Sequence, residues 1–385
     1  MEKARKIAFV CPRYRAGSAG GAESLVRGWA EHLAGRGHTC RVLTTRARNN
    51  ITWDNELPGG EEDLDGVAVT RFDLEYSPPP RGCPQPVQRL LETPSSPALQ
   101  EFLLARSGEF EFFIFAPYLF GLTGNGIAAV PDKSILVPCL HDEPGAYLAG
   151  VRRMFSRARA VWFNSRPEKS LAEKILGFSP RGGEVIGLGV ESPEKLDPEG
   201  FRRKFGIERP FILYAGRREP GKGTNLLLEY FRTLLRHRDP GIDLILLGSG
   251  AVELGEGEEG RIHDLGYVGE QDKWNAYSAA SIFCQPSTNE SFSIVLLEAW
   301  LAGAPALVSA FCPVTLDHCR KAGGGLYFAD YPEFEEAVTC LLENPETARA
   351  LAAGGKSYVE KNYRWATVLD KLESALAEAG EENQG

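Results

Sequence analysis

The chain has 385 residues, 43% of them hydrophobic, and a formal net charge of −9. A single core rarely grows past roughly 250 to 300 residues, so this length predicts two domains. The acidic balance and the lack of a long Lys/Arg run exclude a dedicated nucleic-acid binder, which carries a basic face. The acidic excess sits in the C-terminal half while residues 1–195 are near neutral, which fits two domains with different partners. Eight cysteines (Cys11, Cys40, Cys83, Cys139, Cys284, Cys312, Cys319 and Cys340) are scattered without a CxxC pair. They read as thiols of a reducing compartment, not as a disulfide frame or zinc site. The apolar run near the N-terminus is about five residues, too short for a secretion signal, and no stretch reaches the roughly 18 apolar residues of a membrane span. A cytoplasmic protein is expected, and the Arg-bearing N-terminal half leaves peripheral contact with the inner membrane face open.

In chain order, "KIAFVCP" (6–12) predicts a strand, "RAGSAGGAE" a Gly-rich loop, and Leu25, Val26, Trp29, Ala30 and Leu33 the apolar face of a helix. "GRGH" stops that helix, and "TCRVLTT" (39–45) predicts the next strand. This strand-helix-strand order calls for a parallel sheet with right-handed crossovers. Further strands are expected at 66–72, 110–117, 133–141, 159–165 and 183–190, with the Pro-rich stretch 75–86 as a surface loop. The polar, Pro-bearing stretch 191–210 reads as a linker with a short helix. The alternation then restarts: strand 211–216, a helix over 224–236 with Leu226, Leu227, Tyr230, Phe231, Leu234 and Leu235 on one face, and strands at 242–250, 281–287 and 304–310. Trp365, Val368, Leu369, Leu372 and Leu376 make the last helix amphipathic, so it needs a partner surface. The fold class is therefore α/β, two doubly wound Rossmann-like domains. The expected division is a domain over 1–190, a linker over 191–210, a second domain over 211–362, and a terminal helix within 363–385 that packs back toward the first domain.

Open parallel sheets bind ligands where strand ends lead into helix N-termini, and the polar clusters lie at such places. "YAGRREPGKGT" (214–224) follows a strand and precedes a helix whose expected N-cap is Thr224, so its free N–H groups favour an anion. Arg217, Arg218 and Lys222 add positive charge. A nucleotide-triphosphate loop would place Ser or Thr directly after Lys222, where this chain has Gly223, and would not carry Pro220 and Glu219. A phosphate clamp of another kind and a plain solvated turn both remain. Downstream, Ile294–Ala302 is apolar on nearly all sides except at Glu298. A carboxylate buried there must find donors, either ligand hydroxyls such as a ribose diol or internal partners. Glu290 lies in the loop before that helix, where Ser291, Phe292 and Ser293 present N–H groups beside a carboxylate that could orient a sugar hydroxyl.

The pair Glu290 and Glu298 in "NESFSIVLLEAW", with "GRREPGKG" upstream and "GGAESLVRGWAEHLAGRGHTCRVLTT" near the start, resembles glycosyltransferase family 4, the group 1 retaining glycosyltransferases of GT-B fold. The resemblance runs over nearly the whole chain and implies two domains facing across a cleft, the first for the acceptor and the second for a nucleotide sugar. It implies that Arg217 and Lys222 neutralise the donor diphosphate and that Glu298 binds the ribose. Glu290 would contact the donor sugar, with the amides of Phe292, Ser293 and Ile294 and the segment at Ser291 around it. Gly20 and Gly21 would let the backbone approach phosphate and sugar, and His141 would line the acceptor side, although a lone His at a strand end also reads as a structural one. The implied reaction is metal-independent sugar transfer with retention and needs no cofactor. The donor would be UDP- or GDP-linked and the acceptor a hydroxyl in envelope, polysaccharide or secondary-metabolite glycoside synthesis. Two departures stand out: Ser291-Phe292-Ser293 where Gly-Phe-Gly is usual, and "IGLGVE" (186–191) where Asn-Gly-Val-Asp is usual. The rivals are a sugar-nucleotide epimerase or phosphorylase of the same fold, and a non-catalytic sugar-nucleotide or glycan-binding subunit.

Overall fold

The computed structural model describes residues 4–15, 20–49, 52–75, 82, 95–255, 258 and 260–381. Most of the Gly-rich loop ahead of Gly20, most of the Pro-rich stretch 75–86, and Cys83 lie outside the described residues. The chain divides into two compact units, Met1–Gly189 with Val368–Gly385, and Val190–Thr367.

In the first unit the apolar runs become β1 (Lys6–Val10), β2 (Thr39–Thr45), β4 (Val67–Phe72), β5 (Phe112–Phe115), β6 (Ser134–Leu136) and β7 (Ala160–Val161), with β3 (Gly60–Leu64) at one edge. The sheet order is β3-β4-β2-β1-β5-β6-β7, parallel except for the β3–β4 pair. Ile7 faces Cys40 on one side and Phe112 on the other, so β1 is the central strand and its side chains are buried on both faces. Around the sheet run α1 (Gly21–Gly35), α2 (Pro97–Arg106), α3 (Gly121–Ala129), α4 (Ala149–Arg157) and α5 (Arg166–Leu176). The core between them is built from Val10, Leu43, Phe113, Phe115, Leu136 and Phe163, all almost fully buried.

The second unit holds α6 (Pro198–Phe205), β8 (Phe211–Ala215), α7 (Thr224–His237), β9 (Asp243–Leu247), β10 (Ile262–Gly266), α8 (Glu270–Ala279), β11 (Ile282–Gln285), α9 (Ile294–Ala302), β12 (Ala306–Ser309), α10 (Pro313–Ala322), β13 (Gly325–Phe328), α11 (Tyr331–Glu343) and α12 (Pro345–Asn362). Its sheet is parallel throughout, in the order β10-β9-β8-β11-β12-β13. Residues 191–210, expected as a linker, carry α6, which is tied to α8 by the Asp197 amide donating to Asn275 Oδ1 at 2.9 Å and by Arg202 donating to the Ala279 carbonyl at 2.9 Å.

The final helix, α13 (Trp365–Glu381), passes from the second unit into the first. It buries Val368, Leu369, Leu372 and Leu376. Arg36, which caps the C-terminus of α1, pairs with Asp370 and Glu373, and the Arg159 guanidinium donates to the Ala379 carbonyl.

Several strand expectations need correction. No strand forms over 183–190; Val185 makes only a single bridge to Phe163, because Gly182, Gly183 and Gly187 take positive φ and break the extended run. The strand expected over 133–141 ends at Leu136, since Pro138 offers no ladder donor and Cys139 turns to φ 51°. That expected over 159–165 shrinks to two residues. β3 was not foreseen, because its sequence GEEDL is polar and lies exposed on an edge. β10 and β13 were likewise not read from the sequence, which alternates too weakly there. None of the described cysteines is in a disulfide.

Candidate functional site

Both sheets reverse their winding at one strand. The chain leaves β1 for β2 and later returns to β5 on the other side of β1; in the second unit it leaves β8 for β9 and returns to β11. Loops that follow the two strands flanking such a reversal diverge and leave a crevice for ligand. In the second unit these are the loops after β8 (Gly216–Gly223) and after β11 (Pro286–Ser293), and the sequence places nearly all of its expected second-unit site residues on them.

The two loops are stitched together. The Thr288 amide and the Ser287 hydroxyl both donate to the Gly221 carbonyl, at 3.2 and 3.1 Å. The N-cap of α7 is Gly223, not Thr224: Gly223 sits at φ 71° and Thr224 is the first helical residue. Glycine is required there, because a Cβ would lie 2.5 Å from the Pro286 carbonyl oxygen. Ser293 caps α9 in the same left-handed conformation, φ 68°, without the excuse of being glycine.

Lys222 and Glu290 meet across this junction, Lys222 Nζ donating to Glu290 Oε1 at 2.7 Å. The same oxygen accepts from Gln285 Nε2 at 3.0 Å, and Gln285 Oε1 in turn accepts from the Ser293 hydroxyl at 2.6 Å. Gln285 is the last residue of β11 and is buried. Sequence reading passed over it, although a lone polar residue closing the apolar run "SIFCQ" was a visible signal.

Arg217 lies on the same loop as Lys222, half-exposed and 2.9 Å from Glu219, a surface pair of little energetic weight. Arg218, expected to face an anion, is turned inward. Its guanidinium donates to the carbonyls of Gly248 (2.8 Å) and Gly250 (2.6 Å) and pairs with Asp264, with 2% of the side chain exposed. A guanidinium fits three converging acceptors that a lysine could not span, so Arg218 staples the loop to the ends of β9 and β10.

Glu298 is buried on α9 as expected, and the structure identifies its partners: Lys273 Nζ at 3.0 Å from Oε1 and the Tyr277 hydroxyl at 3.0 Å from Oε2. Burial pushes the Glu298 carboxyl upward, and the Lys273 charge pulls it back. Burial works against the Lys273 charge, yet Glu298 and Glu270 outweigh it and hold the ammonium above its ordinary value. The two donors stand one turn apart on α8 and so reach Glu298 from one face of that helix.

A second support lies under the loop at Phe292. The His318 ring is buried, with Nε2 3.1 Å from the Phe292 carbonyl and Nδ1 3.0 Å from the Tyr358 hydroxyl. A carbonyl can only accept, so Nε2 carries the proton and Nδ1 receives the tyrosine O–H. Burial lowers His318 to about 4, which keeps the ring neutral and this tautomer fixed. Phe292, Tyr358 and Tyr363 pack edge-on around it.

In the first unit Gly20 caps α1 and Gly21 is its first residue. The Glu23 carboxylate folds over Gly20 and pairs with Arg13. His141 lies beyond the end of β6 and is partly exposed. Its turn is shaped by Glu168, whose two oxygens accept from the amides of Leu140 and Asn164, each at 2.6 Å. Burial pushes Glu168 up to about 8 while these donors pull it down. The structure thus brings Lys222, Glu290 and the Phe292–Ser293 turn together, with Arg217 on the same loop, and places Gly20 and Gly21 at the start of α1 and His141 beyond β6 in the other unit. Among the described residues no group of three or more His, Cys, Asp or Glu side chains is arranged to hold a metal ion, and no helix is long and apolar enough to cross a membrane.

Residues 199–358 match the family model for glycosyl transferases group 1. Over this stretch the chain is similar to the group 1 glycosyltransferases. The matched stretch takes in both stitched loops, Glu298 and its two donors. A D-inositol 3-phosphate glycosyltransferase of Saccharomonospora viridis is 28% identical over 262 residues, 62% of this chain and 59% of that one. The chain spans somewhat under three fifths of the length of the curated relatives it matches. Among solved structures, the sucrose-phosphate synthase of Thermosynechococcus elongatus superposes with a TM-score of 0.73 at 17% identity, covering 97% of this chain and 98% of that one. HepE of Anabaena, solved with UDP and glucose, gives 0.71 at 17% identity over 97% of this chain and 100% of its own. At these identities the likeness concerns the fold, which is GT-B: two Rossmann-like α/β units, each with its own parallel sheet.

Proposed function

We propose that the protein is a retaining glycosyltransferase that moves a sugar from a nucleoside-diphosphate sugar to an acceptor hydroxyl. One observation carries this reading: at the winding reversal of the second unit, a lysine and a carboxylate are held within 2.7 Å of each other beside the start of a helix. A partly exposed cation next to helix N–H groups suits a diphosphate, and a carboxylate next to it suits the hydroxyls of the attached sugar.

In the proposed reaction Lys222, Arg217 and the N-terminus of α7 hold the diphosphate. The bond from the anomeric carbon to the phosphate oxygen breaks, and its electron pair leaves with the phosphate, where these positive groups stabilise the growing charge. The acceptor oxygen then bonds to the same carbon from the leaving-group face, and its proton passes to the departing phosphate, so no protein base is required. Glu290 orients the sugar, and the backbone at Phe292, Ser293 and Ile294 binds its hydroxyls or the phosphate. Glu298, set by Lys273 and Tyr277, takes the ribose through its remaining lone pairs. The clamp is built from side chains and helix ends and needs no metal. The inositol-phosphate transferase named above supports a polyol acceptor, and in this proposal the first unit, with Gly20, Gly21 and His141, is where it binds. Action at the cytoplasmic face of a membrane belongs to the same proposal.

The test is calorimetry with UDP, GDP, ADP and dTDP, followed by hydrolysis assays with sugar nucleotides of the base that binds. One nucleoside diphosphate should bind, and its sugar conjugate should be slowly consumed. No binding to any of the four would sink the reading.

A further inference from the structure

Glu290 Oε1 is shared by two donors of different kinds. Lys222 is charged and 23% exposed, whereas Gln285 is neutral, buried, and fixed at the end of a sheet strand. The two have different fates once a ligand enters. A diphosphate competes with Glu290 for the lysine, because both are anions and the ammonium is a mobile point charge on a flexible stem. It does not compete for Gln285, whose amide is already held on its other side by the Ser293 hydroxyl at 2.6 Å. Ser293 makes that bond from a left-handed backbone, φ 68°, a conformation that costs a non-glycine residue about 1 kcal/mol or more. The turn between Glu290 and α9 is therefore strained, and Gln285 is the group that bonds to both of its ends.

Resting on the transferase reading, we propose that Gln285 is a positioning residue that keeps Glu290 aimed at the donor sugar after Lys222 has left it for the diphosphate, with Ser293 serving as its lock. The same pair accounts for the departure from Gly-Phe-Gly in this chain. A glycine at 293 would relax the turn but would leave Gln285 without its hydroxyl partner, free to rotate away from Glu290. In this chain the strained serine and the buried glutamine work as one unit.

The test uses the full-length protein, its own sugar nucleotide identified as above, and three variants: Gln285→Leu, Ser293→Gly and the double variant. Gln285→Leu is expected to lower kcat for donor hydrolysis tenfold or more, with KM for the donor and the Kd for the nucleoside diphosphate within about threefold of the original; losing one hydrogen bond to a charged group is worth roughly that factor. It should also lower Tm, because the Ser293 hydroxyl loses its acceptor while the strain remains. Adding Ser293→Gly should restore Tm but not kcat, since glycine relieves the turn and cannot replace the amide on Glu290. The proposal is overturned if the double variant regains kcat along with Tm, which would make Gln285 a packing residue. It is also overturned if Gln285→Leu weakens nucleoside-diphosphate binding as much as it slows turnover. Failure of the transferase reading is distinguishable: the unaltered protein would then bind no nucleoside diphosphate, before any variant is measured.

Discussion

In the second unit the candidate chemistry is carried by side chains whose charges are paired with one another. Lys222 meets Glu290, Lys273 meets Glu298, and neutral groups, Gln285 and Tyr277, complete each pair. In the first unit the candidate positions are mostly backbone, at Gly20, Gly21 and the turn leading to His141, and the charged groups there shape the chain: Glu168 holds two amides and Glu23 lies against Gly20. The contrast teaches that charge does two jobs in this molecule. At the candidate site of the second unit charge is paired side chain to side chain; in the first unit it holds the main chain.

Four changes would break or sharpen that contrast. The largest effect is expected from Arg218→Ala, which removes the staple across Gly248 and Gly250 and leaves Asp264 without its cation. It should destabilise the second unit by about 3 kcal/mol in urea unfolding. A variant that instead unfolded normally and lost only nucleotide affinity would return Arg218 to the ligand-binding set. Lys222→Ala should cut turnover roughly 100-fold, comparable to removing one charge-stabilising donor from an active site, with little change in Tm because the lysine is partly exposed. Equal losses of stability and activity would contradict the idea that this charge is held for exchange.

His318 supplies the pH test. Its folded-state value is depressed from 6.5 to about 4, so its contribution is complete above the ordinary imidazole range and is lost as pH falls from 6.5 through 4. The loss amounts to about 3 kcal/mol at the acid end. Denaturant midpoints should fall over that window and do so less steeply in His318→Gln, which has no proton to gain; the same slope in both proteins would clear His318 of the effect. The smallest change is expected from Glu168→Gln. One of its two accepting oxygens becomes a donor facing a backbone N–H, costing about 1 to 3 kcal/mol in the first unit. A variant as stable as the original would show that Glu168 is not what holds the Leu140 turn.

The strands expected over 133–141 and 159–165 came out much shorter. Some others that carry apolar runs were legible to within a residue or two, as at Thr39–Thr45 and Phe211–Ala215, because burial on both faces leaves a continuous hydrophobic signature. β3 left none, being polar and on an edge, and 183–190 carried a false one, since its apolar residues are interrupted by glycines at positive φ. The α9 helix and its lone Glu298 were read directly from composition. Which groups would satisfy Glu298 was not, because Lys273 and Tyr277 belong to another helix and only tertiary packing brings them there. Arg218 could not be told from Arg217 by sequence: neighbours in a loop of one charge type point in opposite directions, and the acceptors that decide it, on Gly248, Gly250 and Asp264, come from strand ends further along.

The passage of α13 from one unit into the other bears on the order in which the protein is made. The second unit is contained within Val190–Thr367, whereas the first needs residues from Val368 onward to cover its surface. Arg159 is translated long before Ala379, the carbonyl that receives its guanidinium, exists. During synthesis, where domains fold as units while the chain emerges, the half that is made first is thus the half that is finished last. Chains ending at Thr367 should resist protease over the second unit while being nicked in the first.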